Sequence, residues 1–574
     1  MEEQKRLLEI LEELALLLEL SGENPYKAQA YARAARTLAE HEVDLHRAVE
    51  EGTLRQLPGI GPSLEEAITE YVRTGTIALY ERLRRQVPQG LLELTQLPLV
   101  GAKRARQLYE QLGISSVEQL EQVCREHRVA TLKGFGPKME QAFLEAIEQW
   151  KQFRKKLRLH EALQEARHWR KRIQTLSDVT QVHVTGTLRR YAEVVEEIVL
   201  LVVSPHPKRS IQQLQKLLPE LQPEAEDRFV TRGKADVLVR VEIVPLEHAG
   251  WRLFRTTGTA EFVAALEAEL SALGYEPQER ALFRYGVPVS LQTEEELFAL
   301  LNLPVIPPEL RESGGLVEFV RHHGLPRIVT KADFCGMLHV HSTWSDGKAS
   351  IRQMALAAKE LGYRYIAICD HSSSARYAGG LTPERLAEQH REIDRLNATG
   401  LGIRILKGAE VDILPDGTLD YPEEVLEKLD VVVASVHSHF RQSRQEMTAR
   451  ILRALEHPAV HILGHATGRL LLSRPPYEVD LEPILEAAVR LGKIVELNAQ
   501  PYRLDVSWEH LARWRTRGLR IAVNPDAHSV AELAYTELGI IFARKALFPP
   551  EQVVNTLPLQ DFLQLCQRIQ GRNT

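Results

Sequence analysis

LHVHSTWSDG (residues 338–347) is an apolar run that ends in two histidines and an aspartate, and it is the first of seven such runs towards the C-terminus. The others are YIAICDHS (365–372), IRILKGAEVD (403–412), VVVASVHSH (431–439), VHILGHATGR (460–469), KIVELNA (493–499) and RIAVNPDAHS (520–529). Six lead into His, Asp or Glu; KIVELNA leads into Asn498. Helix-length segments separate them, so the pattern predicts a parallel β/α barrel. Such a barrel presents its chemistry at the C-terminal ends of its strands, where residues from every repeat converge on one face.

Nine candidate metal ligands follow in chain order: His339, His341, Asp346, His371, Glu410, His437, His465, Asp526 and His528. The alternation of a strand puts the His339/His341 pair on one face, and the Asp526/His528 pair likewise. Imidazole with carboxylate suits Zn, Mn or Fe and is too nitrogen-rich for a pure Ca or Mg site. Nine donors exceed the needs of one ion, so two to three are expected, with Glu410 or another carboxylate free to bridge. Ions about 3.5–4 Å apart clamp the attacking and leaving oxygens of a phosphoryl displacement. His439, His457 and His461 fall outside the pattern and read as surface or supporting residues.

Upstream of the barrel the texture changes. Residues 1–150 read as helices broken by Pro and Gly, and a short motif recurs in them: LPGIGPSL (57–64), LPLVGAKRA (97–105) and LKGFGPKME (132–140). An internal repeat carries more weight than a single copy. The spacing resembles the helix-hairpin-helix motif, in which a tight turn exposes backbone N–H groups at a helix start, a ready phosphate site. Gly59, Gly61, Gly101, Gly134 and Gly136 would form the turns, with Lys103 and Lys138 adding charge. Residues 178–245 are β-branched and alternating, as strands are, with a helix at 210–218 between them. Residues 246–312 return to helix, and 314–334 read as a linker.

Bulk properties bound the rest. The chain has 574 residues, a net charge of −6 and 44% hydrophobic content, so ordinary cores are feasible and no global basic field exists. Nucleic-acid contact must use local features, such as the basic stretch 151–172, for which a solvated helix face is the bland alternative. No apolar run reaches membrane-spanning length. The N-terminus is acidic and amphipathic, a helix rather than a signal peptide. Four scattered cysteines without CxxC spacing suggest a reducing, cytoplasmic setting.

The barrel motifs resemble the PHP (polymerase and histidinol phosphatase) family. That resemblance implies a distorted (β/α)7 barrel and a trinuclear site, often loaded with Mn or Zn. Arg469 and Arg503, just past strand ends, could each grip a substrate phosphate bidentately; a surface ion pair is the alternative for both. With the upstream repeats, the whole chain resembles bacterial family X DNA polymerases. The implied architecture is a helical DNA-end-binding domain (1–90), a fingers-like helical region (91–177), a palm-like nucleotidyltransferase sheet (178–245), a thumb-like region (246–315), a linker (316–334) and the PHP domain (335–574). DNA, gapped, nicked or at 3′ ends, becomes the expected partner, with deoxynucleotides a further one, in a bacterial, nucleoid-associated setting.

The family's core signature falls at Gly186-Thr187-Leu188-Arg189-Arg190, followed by Glu193, where the loop holds phosphates. The resemblance then calls for three aspartates that bind two Mg ions. This chain has Glu197, Val199 and, aligned through TTGTAEF (256–262), Arg240 at those positions. Valine offers no ligand and arginine repels Mg, so weak or absent templated nucleotide addition is expected, with the core kept as a grip on DNA. The counter-reading has Glu196, Glu197, Asp236 and Glu242 rebuilding a metal site. Four functions therefore stay open: a metal-dependent 3′–5′ exonuclease and end-processing phosphoesterase of base excision or break repair, a gap-filling polymerase with a proofreading PHP domain, a small-molecule phosphatase, and a DNA-end scaffold. Lys27 is a candidate lyase lysine, against a solvated helix lysine.

Overall fold

The structure is a computed structural model that describes residues 2–23, 25–40, 44–97 and 99–571. The chain divides into two compact units, Met1–Arg154 and Lys155–Thr574. Among the described residues, no helix is long and apolar enough to cross a membrane.

The first unit is all helical. One cluster of buried side chains runs from Leu7 to Ile147, so the stretches before and after residue 90 share a core. The three motif copies open the helices Pro62–Thr74, Ala102–Leu112 and Pro137–Phe153. Pro stands at the first turn of two of them, where its missing N–H costs nothing and its fixed φ suits the helix. The expected boundary at 177 moves to 154. The helix Leu159–Ile173 buries Leu159, Ala162, Ala166, Trp169 and Ile173, and these join the same core as palm residues such as Val182, Ile198 and Val239. The basic residues of that helix occupy its other face.

In the second unit a five-stranded sheet forms the palm. Its order is Gln181–Thr185, Glu197–Ser204, Leu238–Pro245, Arg228–Arg232, Gln222–Pro223, and only the pairing of Glu197–Ser204 with Leu238–Pro245 is parallel. The thumb departs from the helical expectation. Between the helices Ala260–Ala272 and Glu294–Leu300 lies a small antiparallel sheet of Tyr275–Pro277, Leu282–Arg284 and Val287–Pro288. The stretch 316–334 is likewise more than a linker, because the helix Gly315–His323 sinks Val317 and Val320 into the thumb core beside Trp251, Phe262 and Phe298.

All seven apolar runs of the C-terminal region are strands: Gly336–Val340, Tyr365–Ile368, Arg404–Asp412, Val431–Ser435, Ile462–Leu463, Ile494–Asn498 and Arg520–Asn524. They pair in chain order and all in parallel. A single bridge, Val340 to Ala527, with His341 N donating to Ala527 O at 2.9 Å, brings the last strand back to the first. The result is a nearly closed seven-stranded barrel. Its strands are buried almost throughout, as parallel strands covered by helices must be. The protein thus joins an all-α helix-hairpin-helix region, an α+β polymerase core and a PHP-type barrel.

Candidate metal centre

The nine ligand types meet at the C-terminal mouth of the barrel. Eight of them fall into three overlapping sets with the spacing of metal ligands: His341, Asp346, His371 and His528; His339, His341 and Asp526; His371, Glu410 and His437. His465 completes the group, its Nε2 lying 2.9 Å from Glu410 Oε1. Glu410 is the hub: one carboxylate oxygen lies 3.4 Å from His339 and 3.3 Å from His437, the other 3.0 Å from His371 and 3.7 Å from His341. His341 Nε2 also lies 3.2 Å from Asp526 Oδ1, and Asp346 Oδ2 lies 3.4 Å from His528 and 3.6 Å from His371.

Local backbone shape makes this convergence possible. His339 (φ 56°) and Asp526 (φ 50°) both adopt the left-handed conformation, uncommon outside glycine. The pairing register slips between Met337 and Val340, so His339 does not follow plain strand alternation. Such conformations cost free energy and persist where the surroundings over-determine them.

Supporting residues fix the rings. His339 Nδ1 lies 2.6 Å from Glu496 Oε1, and His437 Nδ1 lies 2.6 Å from Asp412 Oδ1. Glu496 is fully buried and also accepts from His465 N, Asn498 Nδ2 and Asn524 Nδ2 at 2.8–3.1 Å. Asp370 anchors the His339–His341 loop by accepting from Ser342 N (2.8 Å), Ser342 Oγ (2.6 Å) and Gln389 Nε2. Sequence reasoning missed these three carboxylates. The signals were present: a glutamate inside the apolar strand IVELN, an aspartate two residues beyond Glu410 on the same strand face, and an aspartate next to His371.

The electrostatics fit divalent cations. His339 Nε2, both nitrogens of His341, His371 Nδ1 and His465 Nδ1 are buried without a hydrogen-bond partner. Buried polar atoms in native proteins are normally satisfied, so this group of orphans points to a ligand such as a metal ion. Burial disfavours the cation on His339 and His371, yet nearby carboxylates outweigh it. Glu496 and Glu410 hold His339 well above the usual imidazole range, and Glu410 and Asp346 raise His371 to about 10. Burial, reinforced by His528, pushes His341 down to about 3. Burial would raise Glu410 and Asp526, but the surrounding imidazoles hold both well below the ordinary carboxylate range.

The two arginines expected at strand ends part company. Arg503 stays at the site, its Nε 3.5 Å from Asp526 Oδ2. Arg469 is committed elsewhere: it donates to Glu193 Oε1 (2.8 Å), to Arg503 O (2.9 Å) and to Leu504 O. A phosphate would have to displace that pair, so Arg469 follows the ion-pair alternative, largely buried rather than at the surface.

In the palm, Val199 and Arg240 are register partners on adjacent strands. The Arg240 guanidinium pairs with Glu197 and, at 2.8 Å, with Glu224. Every carboxylate of the counter-reading has a cationic partner. Glu196 lies 2.7 Å from Lys156, Glu242 lies 2.6 Å from Arg252, and Asp236 lies 3.4 Å from Lys155 on the turn before the strand. Among the described residues no metal-capable set lies here. Gly186 (φ 68°) and exposed Thr187 form the expected turn. Arg189 is locked onto Glu294 at 2.6 Å and Arg190 onto Glu312 at 3.2 Å, so both expected phosphate contacts are already engaged.

In the helical unit, Gly59 (φ 81°) and Gly134 (φ 92°) take the left-handed turn, and Leu99 (φ 71°) takes the same place in the middle copy. Two residues on, Gly61, Gly101 and Gly136 are the N-caps, and no side chain caps the helix starts. Lys103 and Lys138 are exposed beside them. Lys27 lies half-buried on the helix Pro25–Glu40.

Comparison with known proteins agrees with this architecture. Residues 2–77 match the helix-hairpin-helix domain, 91–149 the SAM-like helix-hairpin-helix tandem, 252–312 the DNA polymerase beta thumb and 337–500 the PHP domain. The chain is 35% identical to a protein of Bacillus subtilis (strain 168) named DNA polymerase/3′-5′ exonuclease PolX, over 97% of this chain and 98% of that one. The barrel region is similar to proteins named probable phosphatase. One, from Caldanaerobacter subterraneus subsp. tengcongensis, is 31% identical over 27% of this chain and 63% of its own length. Another, from Thermoanaerobacter sp. (strain X514), is 29% identical over 38% of this chain and 89% of its own length. Sequence, fold and similarity along nearly the whole chain agree: the protein belongs to the bacterial family X DNA polymerases that carry a C-terminal PHP domain.

Proposed function

We propose that this protein processes DNA ends through its PHP domain, as a metal-dependent 3′–5′ exonuclease and phosphoesterase serving base excision or break repair, while its polymerase core is impaired. One contrast carries this reading. Nine histidine and carboxylate side chains converge with unsatisfied nitrogens at the barrel mouth, whereas the palm positions that would hold cations carry Val199 and an Arg240 already paired with Glu197 and Glu224.

The nine barrel residues would hold two to three ions, with Mn or Zn favoured by the imidazole-rich donor set. What bound ions supply is charge stabilisation at a phosphoryl centre and activation of water. Glu496 and Asp412 orient His339 and His437. Arg503 stands where it can hold a phosphate oxygen while screening Asp526. The uncapped turns at Gly59–Gly61, Leu99–Gly101 and Gly134–Gly136 offer backbone amides to DNA phosphates without reading sequence. Mg at the palm has no evident home.

A second reading, gap-filling synthesis from deoxynucleotides with the PHP domain as proofreader, is supported by the printed name of the Bacillus subtilis relative and by the retained palm sheet and Gly186–Thr187 turn. The test of the first reading is degradation of a 3′-labelled strand with Mn. The wild-type protein shortens it, and His339→Ala and Asp526→Ala do not. Full activity in either variant contradicts the proposal.

A further inference from the structure

Tyr377, 73% exposed, stands at the rim of the barrel mouth between Ala375 and Ala378, which are buried. Its ring centroid lies 6.2 Å from that of His371 and 6.4 Å from that of His437. Those two histidines and Glu410 make one of the three metal-capable sets. Isolated exposed aromatics are common on protein surfaces and by themselves signify nothing. This one differs in what holds it and in what surrounds it.

The loop that carries Tyr377 is pinned to the centre. Ser374 Oγ donates to Asp412 Oδ2 at 2.6 Å, and Asp412 is the carboxylate that orients His437. Ser374 N donates to Asp420 Oδ2 at 2.6 Å, and Ser373 Oγ donates to Leu381 O at 2.8 Å. The turn closes with Ala378 N and Gly380 N both donating to Ala375 O, at 3.0 and 3.1 Å. A Cβ on Gly380 would lie 2.0 Å from Ser372 O, so the chain folds back here as only glycine permits. A well-anchored loop therefore presents an aromatic face to solvent next to two candidate metal ligands.

Cationic groups stand nearby. The Tyr377 phenol is within electrostatic reach of Arg503 and Arg474, and those two arginines are within reach of each other. Arg503 is also the guanidinium at Asp526. Candidate metal ligands, an arginine and an exposed aromatic ring thus lie close together. These are the elements that recognise a nucleotide: cations for the phosphate and a π-face for the base.

We propose that Tyr377 is the stacking platform for the nucleobase of the strand-end nucleotide whose phosphate enters the metal centre. This rests on the reading that the centre acts on DNA ends. Every base has a π-face, so the platform tolerates sequence. It requires the base to leave its own stack, so an end that lacks a base forfeits the contact.

The test uses the full-length protein, Tyr377→Ala, Tyr377→Phe and Tyr377→Trp, and two 3′-labelled single strands, one ending in a normal nucleotide and one in a tetrahydrofuran abasic residue. For the base-bearing end, Tyr377→Ala raises KM about tenfold or more with kcat nearly unchanged, and Phe and Trp restore it. For the abasic end, wild type and Tyr377→Ala are equal. Independently of turnover, a terminal 2-aminopurine joined through a hydrolysis-resistant phosphorothioate linkage is quenched on binding to wild type, and that quenching is lost in Tyr377→Ala. Equal KM values on the base-bearing end, or equal losses on both ends, overturn the proposal. If wild type degrades neither strand, the end-processing reading fails, and the 2-aminopurine signal alone then decides for or against the platform.

Discussion

Val199 and Arg240 lie opposite each other in the parallel pairing at the centre of the palm sheet, and the Arg240 guanidinium reaches across to Glu197 on the neighbouring strand. On the proposed alignment, an isopropyl group and a guanidinium stand where a two-ion polymerase would need oxygen donors. A one-nucleotide gap should be filled barely, if at all, in Mg. Val199→Asp with Arg240→Asp should raise incorporation roughly tenfold or more. Val199→Asp alone gains nothing, because Arg240 captures the new carboxylate. Strong incorporation by the unaltered protein contradicts this part of the account.

Glu496 makes its own prediction. It is fully buried and holds His339 Nδ1 at 2.6 Å, while its other oxygen accepts from His465 N at 2.8 Å. Glu496→Gln keeps the shape but replaces an acceptor with a donor and removes the charge that makes His339 a basic ligand. Partners of this kind are worth about 10–100-fold in metal affinity. Chelator competition should show a loss of that size, and unchanged affinity would remove Glu496 from the site.

Metal uptake should release protons. In the metal-free protein, burial opposes the cation on both rings, but Glu410 and Asp346 lift His371 to about 10, and Asp346 and Asp526 lift His528 to about 9. Both are therefore protonated at neutral pH, and a metal must displace those protons. Affinity then climbs as pH rises towards 9–10. The stability of the metal-free protein moves the opposite way. Because the folded values lie above the unfolded imidazole value of about 6.5, this contribution is complete below that pH and is lost as pH rises through about 9 and 10. Calorimetric titration in buffers of different ionisation enthalpy reads the proton release, and melting of the metal-free protein against pH reads the stability. A metal affinity that does not vary with pH contradicts the assignment.

The helix-hairpin-helix turns separate folding from binding. Gly101 and Gly136 have ordinary extended backbone angles, and a Cβ at either meets nothing within 4 Å. Neither the fold nor its packing requires glycine there, which leaves room for an outside backbone. Gly101→Ala and Gly136→Ala should change stability by no more than about 0.5 kcal/mol. DNA affinity should nonetheless fall severalfold in a fluorescence-anisotropy titration. Loss of stability with intact DNA binding would refute the role.

The barrel was highly legible in the sequence, because each apolar run ends in a polar residue at a strand end and parallel strands are apolar along their whole length. The nine donors followed from the same rule. Glu496 escaped it because it sits inside its run rather than at the end, and only the fold reveals that it faces His339. Between the two readings of Arg469, phosphate grip or ion pair, the sequence does not decide, because its partner, Glu193, lies 276 residues earlier in the chain. No local pattern predicts that pairing. The thumb sheet was missed because its strands are only two or three residues long, too short for alternation to register against the flanking helices.

One measurement bears most directly on the claim that the barrel is the main catalytic centre. A single gapped DNA, labelled on the primer strand, is incubated with the full-length protein and Mn, with and without deoxynucleotides. The expected result is 3′-end shortening in both reactions, lost in Asp526→Ala, with little extension. Efficient extension with no shortening, or shortening that survives Asp526→Ala, would contradict it.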